Sequence, residues 1–162
     1  MLPTIQIKDN FLTEKELKII QSNVNKIDYT ATVKGDGNFG FRHTIKKNSE
    51  NEWFFEKIKK QFFPNDNLKL WSNDLHYHLR HNSKKVMAHV DDNQYNFLLF
   101  LKGKELVYNG TGFYTNYNLH TYIGFVENRA LFFDGKNNIH TDLQALGESS
   151  FRHTVNIFYD YD

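Results

Sequence analysis

The chain has 162 residues, 40% hydrophobic and 16% aromatic, which is enough apolar material for one domain with a proper core. Twenty basic residues stand against nineteen acidic ones, and the resulting charge of +1 gives no electrostatic case for nucleic acid or an anionic membrane as partner. Cysteine is absent, so disulfides and thiolate ligands are excluded and any metal must sit on His, Asp, Glu or water.

No apolar run approaches the roughly 20 residues that span a bilayer, and Met1-Leu2-Pro3-Thr4-Ile5 lacks the charged and apolar regions of a secretion signal. A cytoplasmic location is expected. The abundance of Asn, Lys, Ile, Phe and Tyr, all with AT-rich codons, points to an AT-rich microbial or viral genome.

Thr13-Glu14-Lys15-Glu16 has the form of a capping box, and Leu17, Ile20, Val24 and Ile27 follow at helical spacing, so a helix is predicted over residues 13–27. Ser49-Glu50-Asn51-Glu52 repeats the signature ahead of Trp53, Phe54, Ile58 and Phe62, and Pro64 ends a second helix predicted over 50–63. The apolar stripes of both are expected to cover one face of a sheet. Between them, Lys34 to Gly40 is Gly-rich and polar without a closing Gly-Lys-Ser/Thr, so it is read as a surface loop and not a phosphate loop.

After Asn73 the period changes to two. Strands are predicted near residues 75–80, 86–91, 95–101, 105–108, 112–115, 120–126, 129–133, 139–141 and 152–159. Short strands at this rhythm fit a mainly β protein (α+β by helix count) with a jelly-roll core. The expected organisation is one domain over 1–162, with helical support and an entrance loop in 1–72 and the jelly roll in 73–162. Loops at the barrel mouth, residues 28–48 and 108–117, are expected to carry selectivity.

Within that core, His89-Val90-Asp91 is followed by His140 and then Arg152. In a strand, alternate side chains share a face, so His89 and Asp91 can enter one cavity while Val90 packs on the other side and Asp92 faces away. Two imidazoles and one carboxylate make the facial set that holds non-haem Fe(II) with positions left open. An Arg fork downstream suits the carboxylate of an acidic co-substrate through two parallel charge-assisted bonds. Parity then puts Thr154 and Asn156 on the face of Arg152, and His153 on the opposite one. Phe41-Arg42-His43-Thr44 duplicates Phe151-Arg152-His153-Thr154, but only the second copy lies downstream of His140, which leaves Arg42 for the substrate entrance. His43, His76, His78, His81, His120 and His153 are read as surface or core imidazoles.

These strings, with Glu127 to Asp134 leading to His140, Arg152 to Tyr159, and Ile7-Lys8-Asp9-Asn10-Phe11-Leu12-Thr13 entering the first helix, make the chain resemble the 2-oxoglutarate/Fe(II)-dependent dioxygenases, in their prolyl-4-hydroxylase-like branch. The resemblance implies a double-stranded β-helix core, with His89, Asp91 and His140 as iron ligands and Arg152 paired with the distal carboxylate of 2-oxoglutarate. Thr154 and Asn156 would complete the pocket. It implies a Tyr on the strand before His-x-Asp holding the same carboxylate; Tyr77 is the candidate, with His78 or Arg80 as alternatives. The implied reaction consumes O2 and 2-oxoglutarate, releases succinate, and hydroxylates a peptidyl residue or small molecule. Because similar halogenases lack a carboxylate at the position of Asp91, hydroxylation is expected over halogenation. Two other readings stay open: a cupin-like metal-dependent isomerase or sugar enzyme, and a non-catalytic jelly-roll binding module.

Overall fold

The computed structural model describes residues 4–27, 40–80, 88–105, 109–116, 118–142 and 152–162. In chain order its elements are β1 (Ile5–Lys8), α1 (Glu14–Val24), β2 (Gly40–Lys46), α2 (Glu52–Phe62), β3 (Leu68–Leu70), β4 (Asp74–Arg80) and β5 (Tyr95–Gly103). They continue with β6 (Thr111–Thr115), β7 (Asn118–Ile123), β8 (Ala130–Asp134), β9 (Ile139–Asp142) and β10 (Arg152–Tyr161). Among the described residues no helix is long and apolar enough to cross a membrane.

The capping box of α1 forms as its sequence predicts: the Thr13 amide donates to Glu16 at 2.7 Å and the Glu16 amide to Thr13 Oγ1 at 3.3 Å. The box predicted for the second helix does not form. Asn48 and Asn51 instead bond each other's backbone amides, with Asn48 N to Asn51 Oδ1 at 2.8 Å and Asn51 N to Asn48 Oδ1 at 3.3 Å. Short amide side chains closing on nearby backbone in this way compete with a helical start, and α2 begins two residues later than predicted, at Glu52.

Seven strands form a sheet in the order β1-β8-β5-β10-β4-β2, with β3 also paired to β10, and β7-β6-β9 form a second, smaller sheet. All the pairings are antiparallel. Strand β5 is central and buried on both faces, which explains its almost unbroken apolar sequence. Its residues Phe97, Leu99 and Leu101 join Phe11, Ile20, Phe54, Ile58 and Phe62 in a core under the helices. Leu98 and Phe100 face the other way, into a smaller cluster with Phe113, Phe125, Leu131 and Phe133 between the two sheets. Each such ring, fully buried, contributes about 1.5–3 kcal/mol. The helices therefore anchor the large sheet, and the small sheet closes over its opposite face to leave a polar opening at one end.

The N-terminal third is more than helical support. β1, β2 and β3 all enter the large sheet, and residues 40–46, expected in the entrance loop, pair with β4 from Gly40↔Arg80 to Lys46↔Asp74. Their alternation was diluted by polar residues suited to a half-exposed edge strand. The strand predicted at 120–126 stops at Ile123, because the Gly124 carbonyl accepts from Arg129 Nη1 at 2.9 Å instead of a ladder partner. Of the strand predicted at 86–91, residues 86 and 87 lie outside the described residues, and the rest makes a single bridge at His89, since the Asp91 amide turns away to Gly135 O at 2.9 Å. The predicted strand at 105–108 and the loop over 28–39 lie largely or wholly outside the described residues.

Candidate metal centre

His89 and His140 exchange both backbone bonds, N to O at 3.0 and 2.8 Å, so the two side chains rise on the same side of the small sheet. Their ring centroids are 4.7 Å apart. Two residues beyond His89, the Asp91 carboxylate closes a triangle: Oδ1 lies 3.9 Å from His89 Nε2 and Oδ2 lies 3.6 Å from His140 Nε2. One donor atom from each of the three lies within 4.8 Å of the others. Such separations suit donors about 2.0–2.2 Å from one shared ion.

The tautomer of His140 is dictated by its neighbour. Its Nδ1 is 2.9 Å from the Asn138 carbonyl, which can only accept, so Nδ1 carries the proton and the Nε2 lone pair points at the triangle. The set graduates from the His89 side chain, 40% exposed, to that of His140, 8% exposed. His89 faces the mouth and His140 the interior. Two imidazole nitrogens and a carboxylate oxygen with open space beside them fit a non-haem Fe(II) centre.

A cavity of about 70 Å³ adjoins the triangle and is lined by all three residues together with Arg152, Thr154, Asn156, Thr111 and His78. Arg152 is buried at the far wall. Its guanidinium lies 5.3 Å above the Phe100 ring, and Nη1 donates to the carbonyls of Asn109 at 2.7 Å and Gly110 at 2.6 Å. The backbone comes this close because residue 110 is glycine: a Cβ there would stand 2.1 Å from the Ile123 carbonyl and 2.6 Å from the Tyr122 hydroxyl. That hydroxyl in turn accepts from the Gly110 amide at 2.8 Å. Thr111 Oγ1 is buried with no hydrogen-bond partner among the described residues, so the wall next to Arg152 holds a hydroxyl whose proton is uncommitted.

Thr154 and Asn156 share the cavity face with Arg152, as parity predicts, but their polar groups engage a chain of bonds along the wall. Thr154 Oγ1 donates to Asn156 Oδ1 at 3.1 Å, Asn156 Nδ2 to Asn96 Oδ1 at 3.3 Å, and Asn96 Nδ2 to Asp91 Oδ2 at 3.0 Å.

Tyr77 is not in the cavity. It lies on the helix face of β4, fully buried in the large core, where its hydroxyl accepts from Asn23 Nδ2 at 3.0 Å and burial pushes its pKa up to about 12. Parity puts His78, one residue on, at the cavity instead, bridged between Thr154 of β10 and Arg42 of β2 by the strand register. Arg42 is exposed on that same face of the sheet, two strands from Thr154. Val90, expected to pack, is 48% exposed because its segment makes only the single bridge and nothing covers its outer side among the described residues. Asp92 is exposed, facing away as expected. Asn96, Thr111 and the Asn109-Gly110 carbonyls are site groups not anticipated from the sequence. Asn96 alone left a signal, as the one polar side chain within the otherwise hydrophobic run Tyr95–Leu101.

No family model matches the chain, and no curated protein matches it in sequence. Solved structures do match its fold. A Pseudomonas putida prolyl-4-hydroxylase superposes with TM-score 0.70 and 11% identity over 98% of this chain and 94% of its own. A viral collagen prolyl hydroxylase from Paramecium bursaria Chlorella virus-1, in complex with 2-oxoglutarate, gives 0.69 and 13% over 99% and 97%. A Trichoplax adhaerens prolyl hydroxylase bound to a hypoxia-inducible-factor peptide gives 0.67 and 10% over 97% and 83%. At these identities the likeness establishes the fold: the chain has the jelly-roll architecture of these 2-oxoglutarate oxygenases along nearly its whole length.

Proposed function

We propose that the chain is an Fe(II)- and 2-oxoglutarate-dependent oxygenase that hydroxylates its substrate, a peptidyl residue of prolyl type or a small molecule. The observation that carries this reading is the convergence of His89, Asp91 and His140 within 4.8 Å on the rim of a cavity whose far wall holds Arg152. A cupin-type sugar enzyme needs no guanidinium in that position. The peptidyl class draws support from the fold neighbours, one of which holds a peptide.

In this reading His89 Nε2, His140 Nε2 and an oxygen of Asp91 hold the iron, and Arg152 with the Thr111 hydroxyl receives the distal carboxylate of 2-oxoglutarate. When bound, the pair supplies the oxidation: O2 cleaves the keto acid to succinate and CO2, and one oxygen atom enters a C–H bond of the substrate as hydroxyl. The chain's residues supply placement. Arg152 is held before any ligand arrives, by two backbone carbonyls on one nitrogen and the Phe100 ring below, so little ordering is left to be done on binding. Its charge is retained in a buried wall, where a carboxylate partner offsets the cost of desolvation. Thr154 offers only lone pairs to the cavity, because its proton is committed to Asn156. Phe100, Phe113 and Phe133 line the interior behind the site and exclude water from it.

The test is anaerobic titration of the protein with Fe(II) and then 2-oxoglutarate, followed by visible absorbance. A weak metal-to-keto-acid charge-transfer band is expected, and succinate release on admitting O2 with candidate peptides then addresses the substrate. Absence of both metal uptake and the band removes the assignment.

A further inference from the structure

His89 and His140 owe their places to the bridge between them, but Asp91 lies past that bridge, on a bend that leads into β5 at Tyr95. Two backbone bonds fasten this bend to a single residue: the Asp91 amide donates to the Gly135 carbonyl and the Gly135 amide to the Gln94 carbonyl, each at 2.9 Å. Attachment at one residue makes a hinge, about which the bend can still swing toward or away from the imidazoles. A further fastening comes from β10. Asp160 continues the alternation of Arg152, Thr154, Asn156 and Phe158 along that strand, and its Oδ1 accepts from the Gln94 amide at 2.8 Å. Its Oδ2 accepts a longer bond, 3.4 Å, from Nδ2 of the buried Asn93. Regular pairing of β5 with β10 ends one step earlier, at Tyr95↔Tyr159. A side-chain carboxylate thus takes the next amide in place of a strand carbonyl, and the backbone leaves the sheet toward the metal triangle. Asp160 is half-buried and pairs with no Lys or Arg among the described residues; Lys69, opposite it in the register, reaches Asp162 instead at 3.8 Å. The charge of Asp160 is therefore spent on the donors of the bend, which strengthens the short bond to Gln94.

Resting on the metal reading above, we infer that Asp160 is a positioning residue for the metal centre: it pins the bend over residues 91–94 so that the Asp91 carboxylate meets the two imidazoles. Asn96 holds the carboxylate group itself, at 3.0 Å. Asp160 sets the backbone from which that group rises. Without Asp160 the bend keeps its two bonds to Gly135 and gains freedom to rotate about them, so the carboxylate is no longer held where the bridged histidines require it before an ion arrives. Partners that orient a metal ligand in this way are typically worth about tenfold to a hundredfold in affinity. Asp160 touches neither the ion nor the co-substrate in this reading, and its whole effect passes through Asp91.

The experiment is titration of the full chain with Co(II), followed by visible absorbance, in the native protein and in Asp160→Ala, Asp160→Asn and Asn93→Ala. Asp160→Ala is expected to weaken Co(II) binding about tenfold or more. Asp160→Asn, which keeps an oxygen for the Gln94 amide, recovers most of that loss. A double-mutant cycle separates positioning from general damage to the fold. In an Asp91→Ala background, where only the two histidines hold Co(II), adding Asp160→Ala is expected to change the remaining affinity no further. A loss of the same size in both backgrounds overturns the proposal, and so does native Co(II) affinity in Asp160→Ala. Asn93→Ala removes the longer of the two bonds and carries the test if Asp160→Ala fails to fold: a smaller loss, again confined to chains that keep Asp91, supports the proposal, and unchanged affinity overturns it. A native chain that takes up no Co(II) removes the metal reading and this inference with it, a result seen before any variant is made.

Discussion

The backbones of His89 and His140 are bonded to each other, so one antiparallel bridge sets the spacing of both imidazoles without help from the metal. The two rings can therefore be removed singly while the bridge survives. His89→Ala and His140→Ala are each expected to fold and to lose Fe(II) uptake along with the 2-oxoglutarate charge-transfer band. Thr154→Ala is expected to keep the band, because its hydroxyl points along the wall and not at the ligand. Retention of the band in His89→Ala would exclude the assigned site.

Arg152 uses the shape of its guanidinium to grip the Asn109 and Gly110 carbonyls through one nitrogen while still lining the cavity. Lysine carries the charge but has neither the plane nor the reach to do both. Losing one charge-assisted bond costs roughly 1.5–3 kcal/mol, so Arg152→Lys is expected to weaken 2-oxoglutarate binding about tenfold to a hundredfold while Fe(II) affinity stays near the native value. Calorimetric titration of each ligand separates the two.

Tyr77→Phe distinguishes the core position of this side chain from the co-substrate role its sequence place suggested. Removing the hydroxyl breaks the bond to Asn23 and is expected to cost about 1 kcal/mol in urea denaturation. The 2-oxoglutarate affinity should not move. A large loss of affinity at native stability would contradict the placement of Tyr77 under the helices.

Gly135→Ala drives a methyl group against Asp91. Since Gly135, the turn residue just past the end of β8, is held by its amide bond to Gln94 O at 2.9 Å, the backbone has little room to retreat and the carboxylate must move. Metal affinity is expected to fall about tenfold to a hundredfold, with a small change in the thermal midpoint of the metal-free protein.

His76 and His153 make the chain less stable in mild acid. Burial is the largest cause in each case, with Arg42 second for His76 and Lys102 second for His153, and it lowers both pKa values from 6.5 to about 4. Between those values the unfolded chain binds protons that the folded chain refuses, so stability is complete above pH 6.5 and is lost as pH falls toward 4. The loss is on the order of 1–2 kcal/mol per histidine once solvent screening is allowed for. Urea midpoints measured across that interval check it, and a double replacement, His76→Gln with His153→Gln, should flatten the slope.

What the sequence revealed, it revealed through periodicity and parity. Strand alternation pairs His89 with Asp91 in the sequence, although only His89 makes a bridge and Asp91 is brought round by its amide bond to Gly135, whereas Arg152, Thr154 and Asn156 do alternate along one strand. The location of Tyr77 was misread for the same physical reason in reverse: parity relates residues within a strand, but which face meets the cavity depends on the sheet around it, and β4 turns its aromatic side to the helices. The strand at Gly40–Lys46 was hidden because an edge strand needs apolar residues on only one half-covered face. Asn96 was visible as an anomaly but had no meaning until Asp91 stood 3.0 Å away. Thr111 and the 109–110 carbonyls carry no local pattern, since their role arises from long-range approach to Arg152.

The four residues of β1 have a consequence for handling the protein. They form the last strand on one side of the large sheet, pairing from Ile5↔Phe133 to Lys8↔Ala130. Behind them β8 reads Ala-Leu-Phe-Phe-Asp, four uncharged residues in a row that are fully enclosed. Trimming the chain past Lys8 would leave that ribbon as a bare template for pairing with other molecules, the starting point of precipitation and fibre growth. A short, half-polar strand with a lysine at its end thus serves as the molecule's guard against self-association.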